Sequence, residues 1–502
     1  MPRRNLYAIT MVAAVSIFCW QASHGARPKD EMMELYGVFV DAVEQVETNY
    51  VRPVSRRELL ESALKGMLQN LDPHSQFINE SEWKSFRKQI EGRYGGIGIQ
   101  VEVDADTERL KVVAPMVGTP AYAAGVLSGD LILEIDGQTT DGMTPDRAVE
   151  VLTGRVGTAV KLKVKHEAEN QPETLTMNRA IIDVPSVLGD SRKADDTWNY
   201  MLDPDRKIGY VRISSFIQNT TEELKHALAE LKEQGMKALI LDLRDNPGGL
   251  LSSAVEVSDL FIDDGVIVST KGRNTPTKTY EAQKDAVYTD FPMVVLVNQG
   301  SASAAEIVSA CLQDHKRAKV VGQRSFGKGS VQNILELEDG NSVLKLTVAT
   351  YQRPSGKNIH RFKNAKDTDE WGVSPSTGLE VKLSPDQYFS YARGRRQRDL
   401  LSSRRARPKP AQGETPKEAE AAKEKDKDEN GKPKTEVAKE KEKDKDENGK
   451  PKTEVAKAVE PPHEDNPAKE QAKAGPRPFV DVQRDKAIAV VKEELTKAMA
   501  KS

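Results

Sequence analysis

Two short apolar runs with a helix between them constrain this 502-residue chain more than any other feature. Residues 294–297 (VVLV) and 318–322 (AKVVG) read as buried strands. Between them Ala304, Ile307, Val308, Cys311 and Leu312 recur at the spacing of a single helical stripe. The first strand leads into Gly300-Ser301-Ala302-Ser303, and the second into a loop containing Phe326-Gly327-Lys328-Gly329. One serine therefore stands where a strand turns into a helix and backbone N–H groups lack partners. One lysine stands on a glycine-flanked loop. That is the equipment for a serine nucleophile with a lysine base. The same rhythm recurs upstream, with strands at 208–213 and 238–243 and helices at 221–234 and 251–260. It suits a mixed sheet covered by helices.

Other stretches have a different character. Arg3 and Arg4 precede an apolar run at 6–20 and small residues at 23–25, the pattern of an export signal cleaved after Gly25. The run is shorter than the ~20 residues of a membrane span. The expectation is an exported protein of the periplasm or cell envelope, membrane-anchored if the signal is retained. Residues 26–87 read as helical. Leu35, Val38, Phe39, Ala42 and Val46 form one stripe, and Ser55-Arg56-Arg57-Glu58 is a capping box opening a second helix that stops at Pro73. Such helices are expected to pack on the main body or to join two copies as a homodimer. Residues 88–182 turn to short strands and glycine turns, and 183–395 to the strand–helix region above. From 396 to 476 the chain is low in complexity: KEKDKDENGKPKTEVAK at 423–439 recurs at 441–457, a period of 18 (441 − 423). Lacking aromatics and nearly all large aliphatics, it cannot offset the entropy of ordering, and a disordered tether is expected. Residues 477–502 regain a helical stripe of Ile488, Val491, Leu495 and Met499, expected to dock on the folded body.

Composition excludes several functions. With 74 basic and 77 acidic residues the chain has no global attraction to nucleic acid. Cys19 and Cys311 do not make a disulfide framework. The seven histidines include no H-E-x-x-H, so no metal or cofactor is expected. Residues 322–328 match G-x-x-x-x-G-K, but Gly329 stands where a phosphate loop needs Ser or Thr, and 331–337 reads as strand rather than helix.

Several motifs in order carry a family resemblance: LDPHS at 71–75, YGGIGI at 94–99, AGVLSGDLILEIDG at 124–137, DLRDNPGG at 242–249, GSASAAEI at 300–307 and SFGKGSVQ at 325–332. The chain resembles the C-terminal processing peptidases, or tail-specific proteases: exported serine–lysine endopeptidases with an inserted PDZ domain. The resemblance implies an α+β multidomain fold with a crotonase-like mixed α/β core, and protein or peptide substrates with free C-termini. Position by position it implies Ser303 as nucleophile, Lys328 as base and Gln332 as the residue that orients the base. Asp314 takes a supporting role, and the oxyanion hole comes from Ala304 with Gly248 or Gly249. In the PDZ unit the N–H groups of Gly96, Ile97, Gly98 and Ile99 are expected to hold a terminal carboxylate, with the peptide adding a strand beside 99–103. A lysine acts as base only if its pKa is lowered, and Phe326 and Val331 are expected to desolvate Lys328. One departure concerns gating. Thr153 stands where the family often has an arginine that relays peptide binding, and Arg155 lies two places later. The alternative is a non-enzymatic PDZ adaptor with a decayed core, against which the intact Ser303, Lys328 and Gln332 argue.

Overall fold

The computed structural model describes residues 31–104, 107–167, 169, 171–284, 286–366, 368–400 and 480–500. The export segment expected at 1–25, and the tether beyond residue 400, lie outside the described residues.

Strands that are apolar on both faces must be covered on both faces. Ile208–Ile213, Ala238–Asp242, Met293–Val297 and Lys319–Gly322 lie side by side in that order, each pair parallel. Val187–Leu188 and Met201–Asp203 add antiparallel to the first of them. Alternate residues split between two cores, as the period of two requires. Leu239, Leu241, Val295 and Val297 meet Leu228, Val257, Ile307 and Val308 from helices Thr220–Glu233, Leu251–Asp259 and Ala304–Asp314. On the other face Ile240, Val294, Leu296 and Val321 meet Ala487, Val490 and Val491 of the closing helix Val482–Met499. That helix docks as expected but is rotated from the expected stripe: Ala487 and Val490 are buried and Leu495 is only half-buried.

A second, antiparallel sheet runs Gln76–Ile78, Ser342–Gln352, Val266–Gly272, Lys278–Glu281, with Ser330–Leu337 also paired to Ser342–Gln352. A separate β-unit has the order Ile99–Val103, Leu110–Pro115, Leu131–Ile135, Ala159–Lys165, Glu173–Asn178, all antiparallel. It closes over its own core of Leu110, Val112, Ile132, Val160 and Leu162, with Ala148 and Leu152 from helix Pro145–Leu152. The chain enters this unit through Arg93–Gly96 and leaves through Ala180–Asp183, and these two strands pair with each other. That is the geometry of an insertion.

The N-terminal region holds Glu31–Asn49 and Arg56–Gln69, and a third helix, Glu80–Glu91, that the sequence reading did not separate. Ser55 accepts from Glu58 N at 3.1 Å, the first half of the expected box. The complete box belongs to the third helix, between Asn79 and Glu82. On Glu31–Asn49 the stripe residues Leu35, Val38, Phe39 and Val46 are exposed. Helix Pro385–Asp399 runs past residue 396, where the tether was expected to begin. Its basic residues explain why: Arg395 and Arg398 pair with Asp190, while Asp399 accepts from Arg212 at 2.7 Å.

Candidate active site

Three of the motif loops leave the carboxyl ends of adjacent parallel strands, the edge at which open α/β sheets carry their sites. They follow Ala238–Asp242, Met293–Val297 and Lys319–Gly322. Ser303 ends the middle loop with φ 54° and ψ −114°, just before helix Ala304–Asp314. A non-glycine residue at positive φ costs on the order of 1–3 kcal/mol and persists only where its surroundings over-determine it. Glu306 is central to those surroundings. Its Oε2 accepts from the N–H of Ser303 and of Lys328, both at 2.8 Å, and its Oε1 from Gly327 N at 2.7 Å and Ser325 Oγ at 2.5 Å. A single buried carboxylate thus ties the serine turn to the lysine loop. Burial pushes its pKa up to about 7 against the pull of those four donors.

Ser301, the other serine of the motif, is a structural knot. Its hydroxyl donates to Leu243 O at 2.8 Å and accepts from Asn298 N at 2.9 Å. Gly248 must be glycine, because a Cβ there would lie 2.7 Å from Ser303 Cβ and 2.9 Å from Ala304 N. Its N–H is taken by Asn246 Oδ1 at 2.8 Å. The N–H groups of Gly249 and Ala304 make no hydrogen bond among the described residues.

Lys328 is half-buried. Burial first, and then the positive charge of Lys345, hold its pKa below the usual lysine range, with Glu306 pulling the other way. Phe326, expected to supply that burial, is itself 52% exposed. The loop instead packs through its glycines. A Cβ at Gly329 would lie 2.2 Å from His360 N, and one at Gly327 would lie 3.0 Å from the Trp371 ring. Val331 does pack against the main core. Gln332 Nε2 donates to Ser330 Oγ at 2.8 Å and to Thr347 Oγ1 at 3.2 Å. Asp314 stands apart from Ser303 and Lys328 in its bonding. It accepts from Arg353 Nε at 2.9 Å and from Ser355 N at 3.0 Å, tying the helix end to that turn.

In the β-unit, Ile97 and Gly98 lie between two strands, and their N–H groups are unpaired among the described residues. Gly98 has φ +77°, and a Cβ there would lie 2.4 Å from Thr119. Gly96 is a strand residue opposite Ala180, and Ile99 opens Ile99–Val103, which sits at the edge of its sheet beside helix Pro145–Leu152. Thr153 caps that helix, its hydroxyl bonded to Val149 O, and Arg155 is exposed. His166, Glu169 and Glu173 bring three metal-ligand atoms within 4.8 Å of one another. The two nitrogens of His166 already face Asp130 at 2.8 Å and Glu173 at 3.3 Å.

Sequence reasoning missed Glu306, although Ser303-x-x-Glu306 is the S-x-x-E pattern of a helix start. It also missed Arg244 in the loop before Gly248. Arg244 is buried, bonds Asp242 at 2.6 Å, and reaches both oxygens of Asp481 at 2.8 Å just before the closing helix. No local signal joins positions so far apart in the chain.

Comparison with known proteins follows the same division. Residues 207–369 match the model of peptidase family S41, and 111–166 match that of the PDZ domain. The chain is 38% identical over 358 residues to a carboxy-terminal-processing protease of Bartonella bacilliformis, covering 70% of this chain and 76% of the relative. It is 38% identical over 361 residues to the carboxy-terminal processing protease CtpA of Bacillus subtilis, covering 68% and 74%. Among solved structures, a photosystem II D1 C-terminal processing protease aligns at 30% identity and a TM-score of 0.39, covering 68% of this chain and 92% of that one.

Proposed function

The chain belongs to peptidase family S41, as a serine-type protease that acts on the C-terminal regions of proteins, and from that premise we propose that Ser303 and Lys328 are its catalytic pair. The observation that carries the proposal is the Glu306 carboxylate, which holds the strained Ser303 turn and the backbone of a depressed-pKa lysine to one point. Neutral Lys328 takes the proton of Ser303 as its oxygen attacks the scissile carbonyl, and the resulting ammonium returns the proton to the leaving amine. The oxyanion is held by the free N–H of Ala304 with that of Gly249. Gln332 orients the lysine.

The β-unit is proposed to select the substrate by its end. The unpaired N–H groups of Ile97 and Gly98 suit a terminal carboxylate, and the edge strand Ile99–Val103 suits an added peptide strand. The basic-then-apolar N-terminus supports export to the periplasm or cell envelope. The test uses the full chain and one protein with an unstructured apolar tail, offered with a free or an amidated C-terminus, and products are mapped by mass. Cuts near the free end that vanish in Ser303→Ala and in Lys328→Ala are expected, with weaker binding of the amidated form. Undiminished cleavage by either variant removes the pair. Equal binding of the two ends removes carboxylate selection.

A further inference from the structure

An amide such as Gln332 offers a neighbouring lysine either an acceptor or a pair of donors, and only its oxygen accepts from the amine. Its own strand does not decide which. The N-terminal segment does, at the turn that follows helix Arg56–Gln69. Asp72 Oδ1 accepts from His74 N at 2.7 Å and from Ser75 N at 2.9 Å, and its Oδ2 from Ser75 Oγ at 2.6 Å. Burial opposes its ionisation, but these bonds with that from Thr347 hold the carboxyl below its usual range. Asp72 is therefore an acceptor only.

The hydroxyl of Thr347 lies 3.1 Å from Asp72 Oδ1, so its proton points to Asp72 and its lone pairs face elsewhere. Gln332 Nε2 donates into one of them at 3.2 Å and into Ser330 Oγ at 2.8 Å. Both amide N–H groups are engaged, and the amide oxygen is turned away from Thr347. The backbones are fastened as well. Thr347 N donates to Ser75 Oγ at 3.0 Å, and Gln76–Ile78 pairs with Ser342–Gln352, with Gln76 opposite Lys345.

We propose that Asp72 and Thr347 are positioning residues for the catalytic base: the donor chain from Gln332 to Thr347 to Asp72 fixes the amide so that its oxygen, which makes no hydrogen bond among the described residues, is left available to the Lys328 amine. The proposal rests on Lys328 being the base. The charged and titratable groups around that lysine are Lys345, His74 and Glu306, with Asp72 and His360 acting on their neighbours. A bond from the lysine N–H groups to the amide oxygen favours the ammonium. Loosening the amide therefore moves the rise of activity with pH to lower pH, while the rate falls because the amine is misplaced.

The experiment compares full-length Thr347→Val, which keeps shape and loses the hydroxyl, with Thr347→Ser, which keeps the hydroxyl. Hydrolysis of one unstructured peptide is followed from pH 5 to 10, with Tm recorded for each protein. The expected result for Thr347→Val is a kcat about tenfold lower, KM within twofold, and a pH midpoint displaced downward, all restored in Thr347→Ser. An unchanged kcat overturns the proposal. So does a lower kcat with an unmoved midpoint, or a serine variant as poor as the valine one. Lys328→Ala is the separate control: if it stays active, the base reading fails and this one with it. If it is inactive while Thr347→Val is normal, only the relay fails.

Discussion

At the residue scale the decisive group is Glu306, because four donors converge on a carboxylate that water cannot reach. Glu306→Gln keeps the volume but turns an NH2 toward backbone N–H groups. A buried donor left unmatched costs about 1–3 kcal/mol. The expected outcome is a lower Tm and a kcat reduced at least tenfold, measured on purified enzyme; wild-type turnover in this variant would show that the carboxylate is dispensable. The pH behaviour has a definite sign. The folded chain holds the Glu306 proton up to about 7, above the ordinary 4.5, so its contribution to stability is complete below 4.5 and is lost as pH rises through about 7. Activity runs the other way. Above about 7 the ionised carboxylate grips its donors fully, and higher pH also frees the amine of Lys328. In the glutamine variant the stability loss across that window is expected to flatten.

At the element scale, what joins the pieces is a set of buried charges. Arg244 stacks on Tyr391 with 4.5 Å from its guanidinium carbon to the ring centre, and it holds Asp242 and Asp481 at once. Asp481 in turn caps the closing helix by accepting from Arg484 N at 3.0 Å. Losing Asp481 leaves Arg244 paired with Asp242 but strips it of two charge-assisted hydrogen bonds and the closing helix of its cap, at a cost of about 3–5 kcal/mol in all. Asp481→Ala is therefore expected to lower stability to denaturant by about that amount, whereas deletion of 401–475 leaves it nearly unchanged; the reverse ranking would contradict the docking of the closing helix. The strands and helices of the core were legible because each apolar run has the length and period of its element. The sequence reading reached Ile208–Ile213 and the helix after Ser303 on that ground. Asp72, Thr347, Arg244 and Asp481 were not legible in their roles, because each acts through a partner far away in sequence and none departs from the ordinary composition of a turn or strand. Phe326 misled for a related reason: it stands two places before Lys328 in the chain, but its ring is half exposed rather than packed inside.

At the scale of the whole molecule, the inserted β-unit and the protease core keep separate hydrophobic cores, and the paired strands Arg93–Gly96 and Ala180–Asp183 are the crossing between them. The N-terminal helix Glu31–Asn49 leaves Leu35, Val38 and Phe39 exposed, which supports self-association through that face. Light scattering of a 31–502 chain is expected to give a dimer that Phe39→Glu disrupts, and a monomer at high concentration would count against it. The central assignment is chemical, and it is tested most directly by covalent labelling. A fluorophosphonate is reacted with the full chain across pH 5–10, and the adduct is located by peptide mapping. The expected result is one adduct, on Ser303, forming faster as pH rises through a midpoint below the ordinary lysine value of 10.5, and no adduct in Lys328→Ala. An adduct on another residue, or a Lys328→Ala variant labelled at the wild-type rate with the same pH dependence, would contradict it.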